Sequence, residues 1–127
     1  MNNELKIDLH GKRHTDFDLM RIVRAQAQGF EAPVTAYLCD AFIGAKMGVG
    51  IVFGHIVKGP FKRFDDGHFI RTPEVVSAKK EGRFWVLTTV NSRYVLATFQ
   101  RDHGRKSLRE FLSLSNGPHH LIPPSLQ

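Results

Sequence analysis

Residues 49–99 read VGIVFGHIVKGPFKRFDDGHFIRTPEVVSAKKEGRFWVLTTVNSRYVLATF, and this stretch decides the fold. β-Branched and aromatic runs alternate in it with turn residues, the pattern of consecutive antiparallel strands. Four strands are expected, at about 49–57, 69–77, 84–90 and 93–99. Gly59-Pro60 and Asp65-Asp66-Gly67 punctuate the first connection, Lys79-Lys80-Glu81-Gly82 the second, and Asn91-Ser92 the third; all tolerate turn dihedrals. Pro73 cannot donate to a ladder, so the second strand lies at an edge there or bulges. The third strand sets Phe84, Val86, Thr88 and Val90 against Trp85, Leu87 and Thr89. Both of its faces are fairly apolar, as where helices cover one side and a second chain or a ligand covers part of the other.

Working outward toward the N-terminus, Leu5, Ile7 and Leu9 alternate with Glu4, Lys6 and Asp8 as in a short half-exposed strand ended by Gly11. Thr15 or Asp16 suits a helix start, with Asp18 favoured in the first turn. Phe17, Met20, Val23, Ala27 and Phe30 follow at helical spacing, Gly29 fits the stop, and Arg21 and Arg24 make the outer face basic. A second helix is expected from Pro33, with Val34, Tyr37, Leu38, Ala41 and Phe42 on one side and Gly44 closing it. Residues 36–57 are apolar enough to raise a membrane span, but Asp40, Lys46 and His55 interrupt them at positions expensive in lipid. The segment is read instead as a helix turning through Gly-rich backbone into a buried strand. Gly48-Val49-Gly50-Ile51-Val52-Phe53 lacks the third glycine of a dinucleotide fingerprint and precedes no helix.

Beyond Phe99 comes a charged loop, then Ser107 to cap a short helix holding Leu108, Phe111, Leu112 and Leu114, ended by Asn116-Gly117. The fold class that results is α+β: a four-stranded antiparallel meander (about 49–99) packed against two N-terminal helices, with a short C-terminal helix. One domain is expected over 1–117, followed by an extended Pro-rich tail over 118–127. At 127 residues the chain suffices for one core, and 42% hydrophobic residues with ten Phe argue for a packed globule.

Lys and Arg outnumber Asp and Glu by 18 to 12, giving +6 and a pI near 9.8, which favours anionic partners. A lone cysteine, Cys39, excludes an intramolecular disulfide and reads as a small buried hydrophobe rather than a nucleophile. With no apolar signal segment in MNNELKID, a reducing, cytoplasmic setting is the expectation, the host cytosol if the chain is phage-encoded.

No catalytic motif survives inspection. Asp8, His10 and His14, with His119-His120, have ligand chemistry, yet exposed histidines near chain ends are the commoner outcome, so no metal site and no cofactor are expected. Asp65-Asp66 are turn formers. The favoured constellation lies on the sheet: Phe84 and Trp85 offer flat surfaces for a base, Asn91 and Ser92 neutral hydrogen bonding at a hairpin, and Arg71 and Arg93 guanidinium groups for phosphate. From the residues alone, an ordinary sheet with an aromatic core and rim arginines has the same composition.

Phe64-Asp65-Asp66-Gly67-His68-Phe69-Ile70-Arg71-Thr72-Pro73-Glu74-Val75-Val76, followed after a hairpin by Thr88-Thr89-Val90-Asn91-Ser92-Arg93-Tyr94-Val95-Leu96, resembles a pattern in small phage and prophage proteins. It is similar to the Thoeris anti-defence type 1 proteins, non-enzymatic sponges for cyclic ADP-ribose isomers and, in some members, cyclic oligonucleotides. The resemblance implies a pocket with an aromatic residue and an asparagine, here Phe84 and Asn91, and arginines for the phosphates. It implies a binding protein, not an enzyme, with a small anionic nucleotide ligand and a homo-oligomeric assembly.

Two other classes compete. One is a phage-type inhibitor that contacts a host defence protein complex, such as a CRISPR nuclease, through Arg21, Arg24, Lys62, Arg63, Arg101, Arg105 and Lys106. The other is a metal-dependent hydrolase built on Asp8, His10 and His14.

Overall fold

The structure is a computed structural model that describes residues 15–57 and 64–121, with side chains as far as Leu114. The strand expected over 2–14, with Asp8, His10 and His14, lies outside the described residues, as do Lys62 and Arg63.

Helix α1 (Asp16–Gln28) precedes strands β1 (Ala36–Gly44), β2 (Met47–Phe53), β3 (Phe69–Glu74), β4 (Ser77–Glu81), β5 (Phe84–Thr88) and β6 (Arg93–Leu96), and helix α2 (Gly104–Leu121) follows them. The strands form one six-stranded sheet in the order β3-β2-β1-β6-β5-β4. Every pairing is antiparallel except β1 with β6, which is parallel.

The expected four-stranded antiparallel meander on two N-terminal helices is therefore corrected in two respects. The sheet is six-stranded and mixed, and the segment from Pro33 is not a second helix but leads into β1. Residues 36–43 mimic helical spacing because β1 carries a bulge: Cys39 pairs with Ile51 but Phe42 with Val49. The extra residue turns a two-residue step into a three-residue one, so Leu38 and Ala41, both fully buried, sit at i and i+3 as on a helix. Asp40 takes φ 53° in the bulge. Opposite it, a side chain at Gly50 would meet the Cys39 carbonyl oxygen at 2.9 Å. At Pro73, where an edge or a bulge is expected, the register shifts: Met47 pairs with Glu74 but Val49 with Arg71.

The sheet curls into a ring. β3 and β4 stand at opposite ends of the strand order, yet only Val75 and Val76 separate them. Three residue steps reach at most about 11 Å, whereas the edges of a flat six-stranded sheet lie about 24 Å apart. Val75 N–H bonds Lys46 O on one side of the seam, and Val76 N–H bonds Thr88 O on the other. With β3–β4 taken as one bent strand, the ring has five members. Directions that alternate round an odd ring must repeat once, and the parallel β1/β6 pair is that repeat.

The ring interior holds Leu38, Val52, Ile70, Leu87 and Leu96, joined by Leu108 and Phe111 of α2. A Cβ at Gly48 on β2 would come within 2.8 Å of Leu87 on β5, so glycine there lets facing walls approach. Ser107 is not the cap of α2. It lies in the first turn, where its hydroxyl accepts the Ile43 N–H (2.9 Å) and donates to Gly104 O (2.7 Å). The helix continues through Asn116-Gly117 to Leu121.

The outer face of β1, β6 and β5 is covered by α1, whose Ile22 packs with Cys39, Ile51 and Ala97 and whose Ala25 packs with Phe84, Val86 and Val95. Thr15 and Asp18 close a capping box at the start of α1, and the Asp18 carboxylate also accepts the Thr98 hydroxyl at 2.7 Å. That bond turns the Asp18–Ile22–Ala25 side of the helix inward. The Phe17–Met20–Val23 stripe consequently faces away from the sheet.

Candidate functional site

The six residues singled out from sequence occupy four separate places. Phe84 is 2% exposed beneath α1, edge-on to Phe30 at 6.3 Å. Trp85 is on the other face of the same strand and packs against the interior cluster. Arg71 is exposed on β3, beside an apolar hollow of about 360 Å³ with Phe42, Met47 and Phe69. Asn91, Ser92 and Arg93 do share a hollow of about 390 Å³ at the β5–β6 turn.

Within that group, Ser92 N–H donates to Thr89 Oγ1 (3.0 Å), and the Ser92 carbonyl accepts the Thr89 N–H (2.8 Å). Arg93 is committed structurally: its guanidinium bonds Ala32 O at 2.8 Å and pairs with the buried Glu81 carboxylate. Glu81 also accepts the Glu31 N–H at 3.0 Å. The pair thus joins β4, β6 and the segment after α1, and its charges are spent inside the protein.

A different cluster gathers around Arg21. Its Nε donates to Ala97 O (3.1 Å), and its guanidinium carbon lies 4.3 Å from the centre of the Phe84 ring, a cation–π arrangement. Two hollows share this side chain. One, of about 410 Å³, has Phe17, Phe99, Arg101 and Arg105 in its walls; the other, of about 380 Å³, has Arg24, Arg83 and Phe84. Arg105 lies 4.5 Å over the Phe99 ring. Neither ion pair among the described residues, Lys79–Glu31 or Arg93–Glu81, uses any of these five arginines.

The Arg21 pKa is lowered from its ordinary value, first by burial and then by the charges of Arg105, Arg24 and Arg83. The protein therefore holds like charges close enough to repel. One carboxylate, Asp18, reaches the larger hollow, but its oxygens already accept the Thr15 N–H (2.7 Å) and the Thr98 hydroxyl. Burial, followed by Asp18, raises the Asp40 carboxyl pKa.

Nearby Cys39 is fully buried, and its thiol is pushed up to about 12, chiefly by burial, with Asp18 adding and a Thr98 hydrogen bond opposing. Such a thiol is protonated at neutral pH and is no nucleophile. Among the described residues no group of three or more His, Cys, Asp or Glu could hold a metal ion, and no helix is long and apolar enough to cross a membrane.

The sequence reading treated Arg21, Arg24, Arg101 and Arg105 as a generic basic surface and passed over Arg83. Their convergence depends on which side of α1 meets the sheet. The one signal for that was Asp18 at the third helical position, where a capping carboxylate can be held inward. Comparison with family models, with curated proteins and with solved structures finds no match to this chain.

Proposed function

We propose that this chain is a non-enzymatic binding protein that sequesters a small anionic nucleotide on the arginine-lined hollows around Arg21. The observation that carries this reading is the cluster of Arg21, Arg24, Arg83, Arg101 and Arg105, none of which has an ion-pair partner among the described residues. Guanidinium groups bind phosphate oxygens bidentately, and mutual repulsion among them is relieved when a polyanion arrives. Phe17 and Phe99 supply flat apolar surfaces beside those charges, the mix a base with its phosphate requires. A hollow of about 410 Å³ is within the range of small-ligand sites.

A hollow of about 600 Å³ elsewhere on the molecule has Glu31, Lys80 and Glu81 in its walls and gathers no arginines. From the resemblance to the anti-defence sponges this reading takes the ligand class, a cyclic ADP-ribose isomer or a cyclic oligonucleotide, and a setting in the host cytosol. It moves the site from the β5–β6 hairpin to α1 and the segment after β6.

Calorimetric titration with a panel of cyclic nucleotides, followed by mass spectrometry of the recovered ligand, tests the proposal. Stoichiometric binding with the ligand intact is the expected result, and absence of binding across the panel overturns it. A second reading, inhibition of a host defence complex by protein contact, is favoured by the openness of the same arginines to the surface. It predicts capture of a nuclease complex from host lysate that an Arg21→Glu, Arg105→Glu variant loses.

A further inference from the structure

α1 is an amphipathic helix seated with its apolar stripe outward. Phe17, Met20 and Val23 are 63%, 51% and 62% exposed, and Ala27 continues the line at helical spacing. Exposed apolar residues scattered singly need no explanation, but three in register on one helix form a patch that water disfavours. We propose that this stripe is a self-association surface on which α1 of a second copy lies antiparallel, about a two-fold axis at Met20.

The charges on the helix select that occupant and that direction. A two-fold axis through Met20 sets each residue opposite the one equally far on the other side of position 20. Phe17 then meets Val23 of the second copy, the two Met20 side chains meet each other, and Asp16 meets Arg24. Both ends of the stripe thus gain an opposite-charge pair, and the two helix dipoles lie antiparallel. A parallel pairing sets Asp16 against Asp16 and Arg24 against Arg24. An isologous contact of this kind closes after two copies.

The arrangement engages Phe17 and Arg24, which also line the hollows, and leaves Phe99, Arg21, Arg83, Arg101 and Arg105 to them. It rests on the stripe and its flanking charges, and dimerisation is measured separately from nucleotide binding. A helix pair of 13 residues each is a small interface, which predicts a reversible dimer rather than an obligate one.

Sedimentation of the full chain over a concentration series is expected to show a monomer–dimer equilibrium. Met20→Glu is expected to weaken dimerisation at least tenfold while leaving the far-ultraviolet dichroism and Tm in place. Asp16→Lys and Arg24→Glu each weaken it, and the double variant, which restores opposite charges across the axis, recovers it.

Met20→Cys is expected to form a disulfide-linked dimer on mild oxidation. Val90→Cys, 83% exposed at the β5–β6 turn, does not, and Cys39 is too buried to compete. A monomer at every concentration, a dimer indifferent to Met20→Glu, or equal cross-linking of the two cysteine variants overturns the proposal. So does a monomer whose Met20→Cys thiol is shielded from labelling, because the stripe is then covered by the chain itself.

Discussion

Arg93 and Arg21 are both partly buried arginines that bond a main-chain carbonyl of a distant segment, and they have opposite electrostatic fates. Arg93 meets the buried Glu81 carboxylate and Ala32 O, so its charge is neutralised inside the fold. Arg21 bonds Ala97 O and rests on Phe84, with Arg105, Arg24 and Arg83 as its charged neighbours. Satisfied charge is architecture, and charge left unsatisfied among its own kind is capacity to bind. The contrast separates the stability of this protein from its proposed activity, and it can be tested at each end.

The largest effect belongs to the sealed pair. Arg93→Ala strands Glu81 with its buried charge and is expected to cost about 3–5 kcal/mol, read as a lower urea midpoint at unchanged slope. Replacing both partners by Leu should recover much of that loss, since an apolar pair of similar volume is often neutral there. If Arg93→Ala were as stable as the parent, the two environments would not differ in kind.

At the open end, Arg21→Glu with Arg105→Glu is expected to weaken nucleotide binding by about 100-fold or more, as charge-assisted hydrogen bonds each contribute about 1.5–3 kcal/mol. Calorimetry measures this; because Arg21→Glu also gives up the bond to Ala97 O, Arg105→Glu alone is the variant whose thermal unfolding should lie near the parent while binding is weakened. Added salt sharpens the distinction. Raising it from 50 to 500 mM should weaken binding steeply, because the ligand's charges are reached through solvent. The contribution of the Arg93–Glu81 pair, measured by a double-mutant cycle at both salts, should move little.

How much of this was legible in the sequence follows from the same contrast. The α+β class, a turn containing Asn91-Ser92 and the edge or bulge at Pro73 are local matters, set by alternation and turn residues, whereas the pairing of Thr88 with Arg93 makes that turn four residues long rather than the two expected. The error over β1 came from a bulge at Asp40 that converts strand periodicity into helical spacing, which no window of apolar residues can distinguish. Closure into a ring was hidden because residues 69–81 read as a strand and its turn, while the parallel β1/β6 contact joins segments more than fifty residues apart. The arginine cluster was visible as positive charge and invisible as a site. Its assembly depends on a single buried carboxylate, Asp18, overriding the apolar stripe of α1. Arg93 was misjudged for the complementary reason, that its partner Glu81 belongs to a turn sequence that advertises only exposure.

The smallest effect lies at Asp40, whose N–H donates to Thr98 Oγ1 next to Asp18. Its φ of 53° is one that Asn adopts as readily as Asp, so Asp40→Asn removes the charge without disturbing the bulge. The folded protein raises this carboxyl above its ordinary pKa, first through burial and then through Asp18. The native state therefore holds that proton more tightly than the unfolded chain, and ionised Asp40 is a cost to the fold at neutral pH. That cost disappears as pH falls through the raised pKa toward the ordinary carboxylate range. Asp40→Asn should accordingly be slightly more stable than the parent at pH 7, by less than about 0.5 kcal/mol because solvent screens the group. The difference should shrink toward zero on acidification, in urea midpoints taken at pH 7, 5 and 4. A gain that persists unchanged at pH 4 would assign the effect to the backbone of the bulge instead of to the charge.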